Sequence, residues 1–247
     1  MGRGLKRALK FTLPLLPIAL VAGYFVTVYQ LELLGDDILA PALEQLGSVW
    51  VLIAITMAQT VGYAAVCGFV GCLLAGSLGL WKPIRFERAP LLKALGFSLV
   101  GGILFSLDKW TFGRWIPEVG ASYEAPITLH NWLGSVLYGG IVEELMLRLF
   151  FMSLIAWVLQ KLLKKQTTGI LVAANVIAAV LFAAGHLPAT WALFGRLSPM
   201  LLFRCFLLNG GFGLFFGWLY RKHGIQYAMI AHAALHIVSK LIWTIFV

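Results

Sequence analysis

Long runs of apolar residues are the feature that most restricts how this chain can fold. Several exceed the ~18 residues that indicate a membrane-spanning helix, because ~20 residues at about 1.5 Å each cross the hydrocarbon of a bilayer. Apolar residues make up 61% of the chain and charged residues 12%, whereas a soluble domain has about 25% charged residues. The alternation of apolar and polar residues that is typical of an outer-membrane barrel does not occur. The predicted fold class is therefore all-α, a polytopic transmembrane helical bundle.

The apolar pattern fits about seven spans. The range extends from six to eight, because the second run is long enough to tilt strongly or to hide a break. The predicted spans are residues 11–30, 48–80, 91–107, 129–160, 169–187, 199–220 and 225–247. We treat residues 1–247 as a single membrane domain, in which residues 1–128 hold spans 1 to 3 and residues 129–247 hold spans 4 to 7. Residues 31–47 have helical periodicity and acidic side chains, which predicts a helix along the membrane interface.

The distribution of basic residues predicts the orientation of the bundle. Most of the 19 Lys and Arg residues lie in four clusters in alternate loops, and most acidic residues lie in the opposite loops. The clusters are Arg3, Lys6, Arg7 and Lys10; Lys82, Arg85, Arg88 and Lys93; Lys161, Lys164 and Lys165; and Arg221 and Lys222. This is the positive-inside pattern, so we predict an integral membrane protein with a cytoplasmic N-terminus. The net charge of +9 then reflects topology and contact with membrane lipid, and we expect no nucleic-acid partner.

Two acidic residues lie deep inside a predicted span, where each unpaired charge costs roughly 3 kcal/mol. Glu143 and Glu144 are adjacent in span 4, and Arg148 follows Glu144 by four residues on the same helical face. That spacing predicts a Glu144–Arg148 ion pair and leaves Glu143 without a local partner, as suits a general base. An ion pair that only joins helices explains Glu144 and Arg148 as well as a contact with substrate does. Arg204 and Lys240 stand alone in the sequence, and we interpret them as snorkelling or structural residues.

Three histidines also lie within spans of the C-terminal half. His186 follows Phe182 by one turn in span 5, and His232 and His236 are one turn apart in span 7. Taken singly, each would be explained as a residue that forms hydrogen bonds between helices. Taken together, three separate spans supply acid–base residues and the first three spans supply none, which favours a functional site.

The order and spacing of these residues resemble a known family. The motif series of the CPBP (Abi, CAAX-protease-like) intramembrane endopeptidases is similar to three segments here: Glu143-Glu144-x-x-x-Arg148, Phe182-x-x-x-His186 and His232-x-x-x-His236. The resemblance covers residues 129–247 and includes the stretch GGFGLFFGWLYRKHGIQYAMIAHAALH, which leads to the last motif. The first 128 residues are similar only as generic spans.

The resemblance implies an intramembrane protease whose catalytic bundle is formed by spans 4 to 7. It assigns water activation to Glu143 and His186, and oxyanion stabilisation to His232 and His236. The family commonly has Asn or Asp at the position of His236. It also implies a peptide or a membrane-anchored protein as substrate, including prenylated CAAX proteins and bacteriocin or pheromone peptides, and we expect a prokaryotic plasma membrane.

The second histidine of the last motif leaves a metal site open as an alternative. A His-x-x-x-His pair on one helical face has zinc-ligand spacing, and a glutamate completes such sites. Imidazole can equally donate a hydrogen bond to an oxyanion. We expect no cofactor. The alternative is a zinc site formed by Glu143, His186, His232 and His236.

Two other classes of protein fit parts of the pattern. A proton-coupled transporter also places acids and histidines in the membrane, but its polar residues are more often spread over many spans. A non-catalytic membrane scaffold or immunity protein would keep the fold without the reaction. We expect the protease, because the acid–base residues are confined to the C-terminal half.

The heights of these residues in the membrane test the span boundaries. At ~1.5 Å per residue, Glu143 and His186 lie roughly 25 Å from the basic boundary and His232 only about 10 Å from it. They can meet only if spans 4 and 5 extend beyond the membrane or if several spans tilt.

Overall fold

A computed structural model describes residues 2–34 and 36–246, apart from the side chains of residues 36–38 and 42. Within that part of the chain every regular element is a helix, which confirms the all-α class. The helices of the N-terminal half are Arg3–Thr12, Leu16–Leu33, Asp36–Leu46, Val49–Ser77, Arg88–Ser106, Phe112–Trp115 and Pro117–Ala121, with 3-10 turns at Leu13–Leu15 and Leu107–Lys109. The α-helices of the C-terminal half are Leu129–Leu133, Ser153–Leu163, Thr168–Gly185, Leu187–Phe194, Pro199–Cys205, Gly211–His223 and Ile225–Phe246.

Six of the described helical runs are long and apolar enough to cross a membrane. They are span 1 (Arg3–Leu33), span 2 (Val49–Ser77), span 3 (Arg88–Trp115), span 5 (Thr168–Phe194), span 6 (Pro199–His223) and span 7 (Ile225–Phe246). A further helical run, residues 129–163, lies at the predicted place of span 4. Span 2 is one unbroken helix of 29 residues, so it hides no extra crossing. The prediction of a polytopic helical bundle is confirmed, and six to seven spans fall within the predicted range of six to eight. Residues 36–46 form a helix within the predicted interfacial stretch 31–47, whereas residues 31–33 are the end of span 1.

The packing of the bundle has the inside-out pattern of a membrane protein. Small residues fill the contacts between helices, for example Ala64 and Ala174, which are 0% exposed. Large apolar residues lie on the outer surface, for example Val66 and Leu99, which are each 55% exposed. In a bilayer that surface meets lipid, and small residues let helix backbones approach each other closely.

Span 4 departs from regular α-helix in the stretch that carries the glutamates. Residues Gly134–Glu143 and Leu145–Met152 are π-helical, a form with i→i+5 hydrogen bonds that often occurs at functional sites. Gly140 lies here against span 7, where an added Cβ would stand 2.6 Å from the Cβ of Ala233. Only glycine allows this approach, which brings the backbone of span 7 directly beside the glutamates.

The four basic clusters lie at one end of the bundle, as predicted. Arg7 Nη2 donates to the carbonyl of Cys72 at 3.2 Å, and Tyr227, just after the last cluster, donates to the carbonyl of Arg85 at 2.9 Å. Gln166, beside the third cluster, donates to the carbonyl of Leu78 at 3.4 Å. The first of these contacts also explains why span 1 begins at Arg3 rather than near residue 11, since the basic N-terminal turn packs on span 2.

Cysteine labelling tests which membrane face this end meets. On a background without Cys67, Cys72 and Cys205, which are all buried, Lys164→Cys is expected to react with an impermeant reagent only after permeabilisation. Glu118→Cys is expected to react in intact cells, because positive clusters stay in the cytoplasm. Equal reaction of both variants after permeabilisation is the control. Modification of position 164 in intact cells would overturn the topology.

Glu144 and His232 come within 2.9 Å of each other because span 4 extends further than span 7 at the basic end. About 28 Å of helix separates Glu144 from the last residue of this run, Leu163, whereas about 10 Å separates His232 from the first residue of span 7, Ile225. Span 4 therefore projects roughly 18 Å beyond the start of span 7. This is the first of the two solutions that the sequence left open.

Candidate active site

A buried ion pair lies at the centre of the site. Glu144 Oε1 is 3.2 Å from Arg148 Nη1, and both residues are at most 1% exposed, which confirms the predicted contact. The guanidinium of Arg148 lies 4.6 Å from the ring centroid of Phe182 in span 5 and 5.4 Å from that of Phe216 in span 6. A Cβ at Gly213 would stand 2.9 Å from Arg148 Nη2. Arg148 thus joins span 4 to two other spans through cation–π contacts.

His232 bridges the two glutamates, a contact that the sequence did not predict. Its Nδ1 lies 2.9 Å from Glu144 Oε1, and its Nε2 lies 3.9 Å from Glu143 Oε2. A carboxylate accepts hydrogen bonds, so Nδ1 donates to Glu144. Glu144 is therefore held from two sides, by Arg148 of its own helix and by His232 of span 7. Glu143 has a side chain that is 19% exposed and faces the second nitrogen of the same imidazole.

Aromatic contacts fix the orientation of the histidines in span 7. The ring of His232 stacks on Phe216 with centroids 4.5 Å apart and on His236 with centroids 5.0 Å apart. Gly139 of span 4 faces both imidazoles, because a Cβ there would lie 2.9 Å from His236 Nε2 and 3.4 Å from His232 Nε2. Because glycine has no side chain, both rings pack directly against this side of span 4.

His186 lies at the C-terminal end of the helix Thr168–Gly185. Its Nδ1 is 2.8 Å from the carbonyl oxygen of Phe182. A carbonyl only accepts, so Nδ1 donates the hydrogen and Nε2 of the neutral ring stays available as an acceptor. The Phe182 ring separates His186, at 4.7 Å, from His232, at 6.0 Å. Glu143 and His186 make no direct contact in the described structure, so the structure does not show the predicted Glu143–His186 pair as a contact.

A cavity of about 600 Å³ adjoins the histidines. His186 and His236 line it, together with the segment 122–127 and the helix Leu187–Phe194. Next to the cavity along the chain, Glu32 forms hydrogen bonds with Thr128 and His130. These elements lie at the end of the bundle opposite the basic clusters, so the site opens toward that end.

The residues of the zinc alternative are Glu143, His186, His232 and His236. Nδ1 of His232 is bonded to Glu144 and Nδ1 of His186 to the Phe182 carbonyl, which leaves the Nε2 atom of each ring free to face a ligand. Among the residues that the structure describes, no group of three or more His, Cys, Asp or Glu side chains is placed to hold a metal ion. Zinc needs about four donors that converge at about 2.0–2.3 Å. Variants at position 236 and a chelator test metal dependence directly.

A second buried charged cluster lies on the cavity wall and includes a residue that the sequence placed alone. Arg204 Nε lies 2.9 Å and 3.0 Å from the two carboxylate oxygens of Asp108, which is 1% exposed. The hydroxyl of Tyr123 donates to the same carboxylate, and burial together with Asp108 raises the pKa of this phenol, which stays protonated. Arg204 therefore has a structural role, one of the two that the sequence suggested, but it does not stand alone, because Asp108 in the turn Leu107–Lys109 of span 3 pairs with it.

Fold and site together define the class: a polytopic membrane protein that buries a Glu/Glu/Arg/His cluster beside a cavity lined by His186 and His236. Residues 125–238 match the family model of the Rce1-like proteins, described as type II CAAX prenyl endopeptidase Rce1-like. This segment is therefore similar to an Rce1-like domain, and the resemblance to the CAAX-protease-like family is confirmed. At family level the match supports an intramembrane endopeptidase of the CAAX type with peptide substrates. Comparisons with curated proteins and with solved structures gave no match.

Proposed function

We propose that this chain hydrolyses a peptide bond within the membrane by using Glu143 to activate a water. The observation that carries the proposal is the unequal surroundings of the two glutamates. Glu144 is held by Arg148 at 3.2 Å and by His232 at 2.9 Å. Glu143 approaches His232 only to 3.9 Å, which is too long for a hydrogen bond and leaves its oxygens available to a water. A general base needs that direct access to the proton that it removes.

The reaction follows from these positions. Glu143 takes a proton from the water as its oxygen attacks the carbonyl carbon of the scissile peptide, which gives a tetrahedral oxyanion. The protonated Glu143 then passes the proton to the leaving nitrogen, the C–N bond breaks, and a carboxylic acid and an amine are formed. The acid gives its proton to the amine, so a carboxylate and an ammonium group are released. Before the attack, Nε2 of His186 accepts a hydrogen bond from the second O–H of the water and so orients it.

The two histidines of span 7 are the proposed donors to the oxyanion. His232 donates through Nδ1 to Glu144, and its second nitrogen, Nε2, lies on the side of Glu143. His236 lines the cavity and stacks on His232, which supports a role for it as the second donor. Donors fixed before the reaction stabilise developing charge most effectively.

Buried polar atoms support the location of the chemistry. Glu144 Oε2 and both terminal nitrogens of Arg148 have no hydrogen-bond partner within the described structure. The ion pair is close, but it lacks the alignment of a hydrogen bond. A buried polar atom without a partner needs one, and a water or a substrate group at this place would supply it.

The cavity favours a substrate that is partly apolar. Leu33, Phe105, Leu193 and Leu208 share its wall with Asn131, Asn209 and the histidines. A peptide with an apolar or lipid-modified residue fits such a wall, so we propose a CAAX-type C-terminal segment as the substrate class, with unmodified hydrophobic peptides as the second candidate. Purified protein in liposomes, offered matched farnesylated and unmodified peptides, tests this directly. Cleavage of neither peptide by active protein would contradict the CAAX assignment.

Glu144 is expected to act mainly through the fold. Glu144→Gln leaves the buried Arg148 without its counter-charge, and removing one partner of such a pair costs about 3–5 kcal/mol. The variant should therefore melt at a clearly lower temperature than the wild type in detergent. Glu143→Gln, which removes no buried ion pair, is the matched control and should melt near the wild-type temperature. Equal melting temperatures of wild type and Glu144→Gln would contradict this role.

A further inference from the structure

Lys240 is a buried cation on the wall of the same cavity. It follows His236 by four residues, so the two side chains share one face of span 7, about 6 Å apart along the axis. The residue is 3% exposed and lines the cavity together with His236. It does not snorkel to the surface. Its Nζ donates to Asn131 Oδ1 and lies 5.9 Å from the ring centroid of Tyr29 and 5.7 Å from that of Trp243.

The charge of Lys240 is not balanced by a carboxylate of the described structure. None of the ion pairs there includes Lys240. The other cation of the wall, Arg204, is held by Asp108, and Glu124 lines the cavity as an exposed residue. An amide and two aromatic rings compensate a buried ammonium only in part. A bound anion would complete its surroundings and gain a charge-assisted hydrogen bond.

We propose that Lys240 binds the free C-terminal carboxylate of the peptide substrate, an inference that rests on the proposed peptidase function. A CAAX motif ends the chain, so any bond cut within it lies at most ~10 Å of extended peptide from that carboxylate. Lys240 lies one helical turn from His236, one of the proposed oxyanion donors, which matches this short reach. The lysine thereby selects peptides that end close to the scissile bond and rejects internal sites of longer chains.

Two peptides of identical sequence test whether Lys240 binds the C-terminal carboxylate. One peptide ends in a free carboxylate and the other in an amide. With the full chain in liposomes, the wild type is expected to show a KM that is roughly 10- to 100-fold higher for the amide, with kcat little changed, because the contact lies away from the reacting atoms. The Lys240→Met variant should have the same high KM for both peptides. The Lys240→Arg variant should regain part of the lower KM for the free carboxylate. Lys161→Met, at an exposed lysine outside the cavity, is the matched control and should behave like the wild type.

The outcomes separate this inference from the peptidase itself. If the wild type cleaves both peptides with the same KM, Lys240 does not bind the carboxylate, but the proposed peptidase activity is supported. If it cleaves neither peptide, the role of Lys240 is tested by the binding of fluorescent versions of the two peptides to the wild type and to Lys240→Met. Tighter binding of the carboxylate peptide that is lost in Lys240→Met supports the proposed contact. Equal binding of the two peptides overturns it. Should Lys240→Met fail to fold, the comparison of the two peptides on the wild type and on Lys240→Arg decides in its place.

Discussion

Glu143→Gln is expected to lower the cleavage rate by roughly 100- to 10,000-fold, the usual contribution of a positioned general base. The amide has nearly the shape of the carboxylate but cannot take a proton from water. The fold should persist, because Glu143 is partly exposed and its contact with His232, at 3.9 Å, is long. The measurement is the rate of cleavage of a peptide in liposomes, with the melting temperature of each variant recorded beside it.

Two variants sharpen this prediction. Glu118→Gln changes an exposed carboxylate that pairs with Arg196 at 2.7 Å and does not line the cavity, so it should leave the rate unchanged. Glu143→Asp keeps the carboxylate but withdraws it by one methylene, so an intermediate rate is expected. If Glu143→Gln cuts as fast as the wild type, Glu143 is not the base.

Position 236 is expected to give the second large effect. His236→Leu removes a hydrogen-bond donor beside His232, and the loss of one oxyanion contact lowers turnover by roughly 100- to 1,000-fold. His236→Asn should keep substantial activity, because its NH₂ group also donates. The two variants remove the same stacking contact with His232, at 5.0 Å, so their difference isolates the donor. Turnover with a saturating peptide is the quantity to compare.

The same pair of variants distinguishes water activation by glutamate from zinc catalysis. A zinc ligand at position 236 would make the Asn variant fail nearly as badly as the Leu variant, with loss of metal from the purified protein. A chelator is expected to leave the wild-type rate unchanged. Stoichiometric zinc in the wild type, together with an inactive but folded His236→Asn variant, would overturn the metal-free mechanism.

Local features of the sequence predicted much of the site. The spans follow from apolar length, which the cost of burying polar groups in lipid enforces. The Glu144–Arg148 pair follows from four-residue spacing on one helix, and it survives the π-helical geometry at 3.2 Å. The place of the basic clusters at one end follows from charge alone. Each of these depends on neighbours along the chain, so a pattern is enough to predict it.

Contacts between different helices could not be predicted from the spacing of residues along the chain. The bond from His232 to Glu144 joins residues of different spans and depends on how spans 4 and 7 rotate about their axes, which spacing does not encode. The burial of Asp108 against Arg204 depends on how spans 3 and 6 pack against each other. The available signal was physical: a buried arginine needs a partner, and Asp108 is an acidic residue at the same end of the bundle.

The most direct test of the central claim compares the peptides that are released from two membranes by mass spectrometry. One membrane contains the wild-type chain and the other contains Glu143→Gln at equal abundance. Hydrolysis by a water that Glu143 activates predicts at least one peptide that the wild type releases and the variant does not. Release of the same peptides in the same amounts from both membranes would contradict it.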